Sequence, residues 1–419
     1  MRNFTTVFTV LLFGVSSVFA QQPNPIVIGQ TAAFTGGPAA SVIEITAGAR
    51  LVIDDLNSRG GVRGRPIKLV SMDDGYQSER AIANVKTLVK DKKAVGLLLS
   101  RGTEPTEAMM PTLLALRVPL IGPSTGAMSL RNPVHPYIFN VRASYQGEAR
   151  KAARQLAAMG FGQIGIIVAK DSFGDDCLVG VLAGLKDNNL EPTFVEKFDR
   201  AQKDFTLIAK RVARDQPRAL FVIGTNAPVI SLIKAMKDAE VKTTVMTLSN
   251  NASEGFLKAV RTIQRGSDSP DDASTLPVSN SISVGVAQVF PSERAQHIPI
   301  VAELTALSKR AGEALRAGGV SSDPITAAVD KFLEPGRLPS PAMIEGAISA
   351  KVLIAGLQRI KGEITPDSLT AALNSGEPID VGWIDKSTIP YQIRYTPSNH
   401  SGIEYIDLSI IGADGKYRR

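Results

Sequence analysis

The sequence predicts an α/β protein of two doubly wound parallel-sheet lobes, and three observations carry that prediction. Short continuous apolar runs, such as 95–99 and 164–169, have the pattern of strands buried on both faces of a parallel sheet. The runs alternate regularly with helical segments, as right-handed crossovers on a parallel sheet require. The alternation also begins afresh near Ala143, so two αβ units follow one another, joined around residues 140–144.

The first unit opens on a strand at 26–28, followed by a glycine-rich exit loop at 31–41 (TAAFTGGPAAS). A helix over 43–57 is stopped by Arg59-Gly60-Gly61. The strand 67–71 turns through Asp73-Asp74-Gly75, and 78–90 reads as a helix with Ala81, Val85 and Leu88 on one face. Strands at 95–99 and 118–121 flank a helix over 104–115, with Thr103 as candidate N-cap and Pro105 in the first turn.

The second unit places strands at 164–169, 192–198, 219–223 and 244–248, with helices at 146–159, 204–214 and 229–239 and one running up to 188. Residues 266–281 are polar and rich in Asp, Ser and Pro, the composition of an exposed loop. A strand at 284–290, helices at 300–317 and 342–360, and a terminal hairpin of 391–395 with 405–411 complete the expectation.

The chemistry concentrates where strands end. The run 95–99 leaves through Ser100-Arg101-Gly102-Thr103, and 118–121 through Gly122-Pro123-Ser124-Thr125-Gly126. Open parallel sheets bind ligands at the carboxyl ends of their strands. The first exit also runs straight into a helix N-terminus, whose unpaired N–H groups and partial positive charge favour a carboxylate. Ordinary βα turns share this composition; two in succession on neighbouring strands point to a site.

Length and composition set the class. The 419 residues are 44% hydrophobic with 36 Gly and 25 Pro, enough for two globular domains. Residues 1–20 read as a secretory signal peptide, with Arg2, a short apolar core and a small-residue cleavage site ending at Ala20. The mature chain is therefore expected to be exported. Cys177 is the single cysteine, so no internal disulfide forms, and its apolar neighbours mark it as packed rather than reactive. The net charge of +7 arises from 47 basic and 40 acidic residues well mixed along the chain, which argues against nucleic-acid binding.

Catalytic and metal chemistry find little support. His135, His297 and His400 are the only histidines and none has zinc-ligand spacing. The glycine pattern over 160–165 follows a helix and precedes a strand, the reverse of a dinucleotide site, and reads as a helix C-cap and turn. Asp73 and Asp74 are adjacent on an extended chain, point opposite ways and suit a turn.

The segments IVIGQTAAFTG, GARLVIDDLNSRGGVRGRPIKLVSMDDG, SRGTEPTEA, VPLIGPSTGA, KDSFGDD, KDFTLIAKRV and IDLSIIGADGKYR, in this order, resemble periplasmic solute-binding proteins of the leucine/isoleucine/valine-binding type, the type I fold that serves ABC transporters. The resemblance implies two lobes joined by three hinge crossovers, near 141–144, near 286–290 and between Trp383 and Tyr395. Lobe one would hold 24–142 and 288–385, and lobe two 143–287 and 386–419. It further implies a non-enzymatic, cofactor-free periplasmic monomer that captures a small carboxylate-bearing solute by hinge closure and delivers it to a membrane permease.

By position, the family's carboxylate-binding groups fall on Ser100 and Ser124-Thr125-Gly126, beside Gly102 and Thr103. Phe173, where the family more often has tyrosine, would complete the enclosure from lobe two with Asn226 and Ser249. Amino-acid binders carry an acidic residue at the position of Ser249. Its neutrality favours a carboxylate without an α-ammonium, with Asp171 the first substitute partner should an ammonium be present. Arg101 would meet a second anionic group. A ligand-sensing module and a secreted hydrolase are the alternative roles.

Overall fold

The structure is a computed structural model that describes residues 24–265, 282–291, 295–318, 321–333, 337–384, 390–412 and 417–418. The leader at 1–20 and the polar loop at 266–281 lie outside the described residues. Five strands form the first sheet: β1 (Ile26–Ala32), β2 (Ile67–Asp73), β3 (Gly96–Leu98), β4 (Leu120–Ile121) and β5 (Ile138–Phe139). They run in the order β2-β1-β3-β4-β5, every neighbour parallel. Between them lie α1 (Ala39–Ser58), α2 (Ser78–Lys90) and α3 (Thr103–Leu116).

The second sheet continues the chain with α4 (Tyr145–Ala158), β6 (Ile164–Ala169), α5 (Ser172–Lys186), β7 (Phe194–Phe198), α6 (Thr206–Asp215), β8 (Ala219–Ile223), α7 (Asn226–Asp238), β9 (Thr244–Thr247), α8 (Glu254–Arg265) and β10 (Val284–Gln288). The apolar runs that announced β6 and β8 are buried at every residue. Ser144 and Asp171 cap α4 and α5, each accepting from the backbone N–H three residues on, which satisfies a donor the helix leaves unpaired. At the end of α4, Gly160 adopts φ +86 and its N–H returns to Ala157, the C-cap and turn expected of that glycine pattern.

The chain then returns to the first sheet. Helices α9 (Pro299–Gly318), α10 (Pro324–Phe332), α11 (Pro341–Arg359) and α12 (Pro366–Leu373) precede the hairpin of β11 (Ile379–Ile384) and β12 (Pro390–Ile393). Pro341 and Pro366 stand at the first helical positions of α11 and α12, after the capping residues Ser340 and Thr365. Finally β13 (Asp407–Ile411) and β14 (Tyr417–Arg418) join the second sheet antiparallel, giving β14-β13-β10-β9-β8-β6-β7. Among the described residues no helix is long and apolar enough to cross a membrane.

Two expectations about the carboxyl-terminal part are corrected. Residues 391–395 and 405–411 do not pair with each other; β12 pairs with its neighbour β11, and β13 with β10. The chain also stays with the first sheet beyond residue 385. Ile393, Tyr395 and Ile403 lie in its core, Tyr395 sets its ring edge against Phe139, and its hydroxyl donates to the Asn140 carbonyl. The third crossing therefore follows Ile403 rather than falling between Trp383 and Tyr395. It runs beside the first crossing, where Ile403 N–H donates to Val141 O at 2.8 Å.

In each sheet the strand order reverses beside the opening strand, between β1 and β3 and between β6 and β8. The loops at the carboxyl ends of those strands flank a crevice suited to a ligand.

Candidate functional site

The exit of β3 carries an unusual backbone. Leu99 sits at φ +59, a left-handed conformation rare for a bulky residue and commonest where a site imposes it. Gly102 follows at φ +92, and a Cβ there would meet the Tyr76 ring at 2.4 Å, so glycine is required twice over. This twist sends Arg101 towards the second lobe. Its Nη1 donates to Ser124 Oγ at 2.8 Å and its Nη2 to the Asn250 carbonyl at 3.1 Å. Arg101 is thus a buried residue of the first lobe that bonds the second.

Other contacts hold the lobes together around it. Glu44 of α1 accepts from the backbone N–H groups of Glu254 and Gly255, each at 3.1 Å, at the start of α8. A carboxylate there complements both the unpaired donors and the helix dipole. The Arg200 guanidinium lies 4.5 Å from the centre of the Tyr76 ring, a cation–π contact across the crevice.

The hydroxyls chosen from sequence are mostly committed to one another. Thr106 donates to the Gly102 carbonyl at 2.6 Å, so its only proton is used and Ser100 must donate to Thr106 at 2.9 Å. Ser100 therefore has no proton left for a carboxylate in this arrangement. Thr103 does not cap α3, which begins at Thr103 itself; its hydroxyl pairs with Thr125 at 2.8 Å. That pair holds two protons and uses one internally. Ser124 accepts from Arg101, leaving its own proton to donate elsewhere. Gly126 fits because a Cβ would lie 2.6 Å from Tyr145 N, where the first crossing passes.

From the second lobe, Phe173 packs edge-on against Tyr145 at 5.0 Å. Asn226 donates to Ser253 Oγ at 3.2 Å. Asp171 is occupied as the cap of α5, accepting from Gly174 N–H, and it pairs with Arg200. Ser249 presents both its N–H and its hydroxyl to Glu148 Oε2, at 3.1 and 2.6 Å. Glu148 also pairs with Arg142 at 2.8 Å; both ions are buried, Arg142 on the first crossing and Glu148 in the first turn of α4. Burial alone would depress the Arg142 pKa; Glu345, Tyr145 and Glu148 around it reverse this and hold it above the ordinary value. Burial pushes the Tyr145 phenol up to about 12, so it stays protonated beneath Arg142.

Between the lobes is a narrow cavity of about 10 Å³, close to the volume one water needs. Arg101 and Ser249 are the sequence-chosen residues on its wall. Asn250, Ser253, Phe290 and Glu345 complete much of it, and sequence reasoning missed them. Asn250 follows a residue already chosen, so its strand-exit position was a usable signal. Glu345 lies mid-sequence in a long apolar helix and gave none. Among the described residues no group of three or more His, Cys, Asp and Glu side chains is placed to hold a metal ion.

Comparison with known proteins agrees with this architecture. The Leu/Ile/Val-binding protein of Escherichia coli K12 is 26% identical over 231 residues, 49% of this chain and 59% of that protein. The chain therefore aligns with less than two thirds of that relative's length. A substrate-binding periplasmic protein from Ralstonia solanacearum superimposes with a TM-score of 0.75 at 25% identity, covering 94% of this chain and 99% of that one. A branched-chain amino acid ABC transporter protein from Thermus thermophilus, solved with bound valine, gives 0.74 at 18% identity, covering 95% of each chain. A family model described as periplasmic binding protein matches residues 25–264, more than half of the sequence. The chain belongs to the periplasmic binding protein family, whose members bind solutes and are not enzymes.

Proposed function

We propose that this protein is the periplasmic substrate-binding component of an ABC importer, working as a monomer that captures a small carboxylate-bearing solute between its lobes and presents it to a membrane permease. The observation that carries the reading is Arg101. Its buried guanidinium lies on the wall of the interlobe cavity, beside a sheet's switch point, and bonds both lobes at once. Guanidinium is the side chain best shaped to hold a carboxylate through two parallel N–H bonds. With Ser124 and the Thr103–Thr125 pair nearby, a carboxylate entering here would meet one charge and two hydroxyl protons.

The cavity is too small for an organic acid to enter while the lobes touch, so capture proceeds by parting and reclosing the lobes about the crossings. Thin connections between lobes favour that motion. Export through a leader cleaved near Ala20 places the protein where such capture is useful.

The test is calorimetry of Arg101→Ala against the wild type, using the acid that most raises the thermal midpoint of the wild type. Loss of a charge-assisted contact of about 1.5–3 kcal/mol predicts affinity lower by roughly 10- to 150-fold. Unchanged affinity would remove Arg101 from the site and the reading with it.

A further inference from the structure

We propose that the outer edge of β2 docks an extended peptide segment of a partner protein, one in which aliphatic residues alternate with polar ones that include an acid. β2 is the end strand of the first sheet and pairs only with β1. Ile26 N–H donates to Pro66 O at 2.8 Å, so that carbonyl faces β1. The Ile67 N–H, on the other side of the same peptide unit, faces outward. These directions alternate along a strand, so Ile67, Leu69, Ser71 and Asp73 direct their backbone groups away from the sheet.

Side chains of the same lobe close both ends of this outer row. Asn57 of α1 meets Ile67 as a neighbouring strand would, donating to its carbonyl and accepting from its N–H, each at 2.8 Å. The Asp73 carbonyl accepts from Arg80 at 2.9 Å and from Asn84 at 3.2 Å. Between these ends, the outward N–H and C=O groups of Leu69 and Ser71 have no protein partner among the described residues. They lie along a groove of about 240 Å³ bordered by β2, α1 and α10, with Leu69, Ile325 and Val329 as its apolar wall.

That pattern names the kind of occupant. Leu69 and Ser71 stand roughly 7 Å apart, the two-residue repeat of a strand, and each offers one donor and one acceptor. An added strand meets all four groups, while the apolar wall selects its alternate side chains. Charge narrows the choice. Arg50 is engaged by Asp54 at 3.1 Å and Asp330 at 3.8 Å, and Asp323 is used as the cap of α10. Lys68 is exposed on the same groove with no ion pair among the described residues, so the uncompensated charge is positive. An acidic side chain complements it. The β2 edge of a second copy would instead bring its own Lys68 to the groove and meet like charge.

No described residue lines both this groove and the interlobe cavity, so the proposal and the solute reading stand or fall separately. Fluorescence anisotropy tests it with fluorescein-labelled octapeptides in which valine or isoleucine alternates with threonine and one glutamate. The same peptides with lysine in place of glutamate form the comparison. The glutamate series is expected to bind the wild type, and Lys68→Glu to weaken that binding by about tenfold, the scale of one charge-assisted contact. N-methylation of every second amide of the best binder should cost about tenfold or more, and of the intervening amides little, because only one set faces β2. The N-methyl comparison needs no protein variant, and Lys68→Glu alters only an exposed side chain. Strand docking is overturned by no binding of either series at millimolar concentration, by tighter binding of the lysine series, or by equal sensitivity to both N-methyl sets. A wild-type dimer in light scattering that excludes the peptides would assign the edge to a second copy and overturn it equally.

Discussion

Helices α1 and α11 cross so closely that two glycines are indispensable, and Gly346→Ala puts that claim at risk. A Cβ on Gly346 would lie 1.8 Å from the Ile45 carbonyl oxygen, and one on Gly48 would lie 1.9 Å from the Met343 carbonyl oxygen. Ordinary contact needs roughly 3.5 Å, so the helices would have to separate by about 1.5 Å. A gap of even 0.5–1 Å forfeits about a quarter to a half of each dispersion contact. The affected interface is the core of the first lobe, where nearly all of α11 is buried. Overpacking of this kind costs about 1–3 kcal/mol and occasionally more.

Against that stands the better helix propensity of alanine, worth about 0.8–1 kcal/mol over glycine. The backbone oxygen cannot rotate away as a flexible side chain could, so the steric cost wins. The expected net loss is about 2 kcal/mol or more, seen as a fall of roughly 4–8 °C in the thermal midpoint. Gly362, whose Cβ would meet nothing within 4 Å, supplies the control. Differential scanning calorimetry of Gly346→Ala and Gly362→Ala, without ligand, makes the comparison. A Gly346→Ala protein as stable as the wild type, or more so, would show that the crossing is not limited by these glycines.

Two further outcomes follow from buried groups. Asp74 is 1% exposed; burial raises its pKa to about 6, although Tyr76 N–H and the Thr31 hydroxyl bond it. Its proton is held more tightly folded than unfolded, so its contribution is complete below pH 4 and is lost as pH rises towards 6, by at most about 3 kcal/mol. Asp74→Asn should therefore be more stable than the wild type at pH 7, with the difference shrinking by pH 4; urea denaturation at both pH values that gives a constant difference would refute this. Cys177 is fully buried, and burial raises its thiol pKa well above the ordinary value. A thiol-reactive dye at pH 8 should label it only at the rate of unfolding, and rapid stoichiometric labelling of the folded protein would contradict the packing.

Much of the fold was legible because its signals are local. Runs such as 164–169 and 219–223 became β6 and β8 since a strand buried on both faces needs nothing but apolar residues. The two strand exits after 99 and 121 were legible for the same reason: small residues and hydroxyls stand in sequence where the loops stand in space. What escaped reading was set by tertiary contact. Residues 405–411 look equally ready to pair with 391–395 or with any other edge, and only the closed fold shows β13 beside β10. Thr103 has the chemistry of a cap, but α3 begins at Thr103 itself and its hydroxyl pairs with Thr125 across the loops. The left-handed turn at Leu99 leaves no mark in composition. Glu345 is one acid in a helix otherwise read as core, and its place at the cavity depends on a crossing with α1 that no periodicity reports.

The central claim is that a carboxylate-bearing solute binds between the lobes, and native mass spectrometry tests it most directly. The mature chain, stripped of copurifying solutes by unfolding and refolding, would be presented with pairs of small acids and their amides, such as leucine with leucinamide and 4-methylpentanoate with its amide. The account predicts a single-site adduct with at least one acid and none with its amide, since Arg101 and the hydroxyls beside it require an anionic oxygen pair. Adducts formed equally with acid and amide, or with no acid at all, would contradict it.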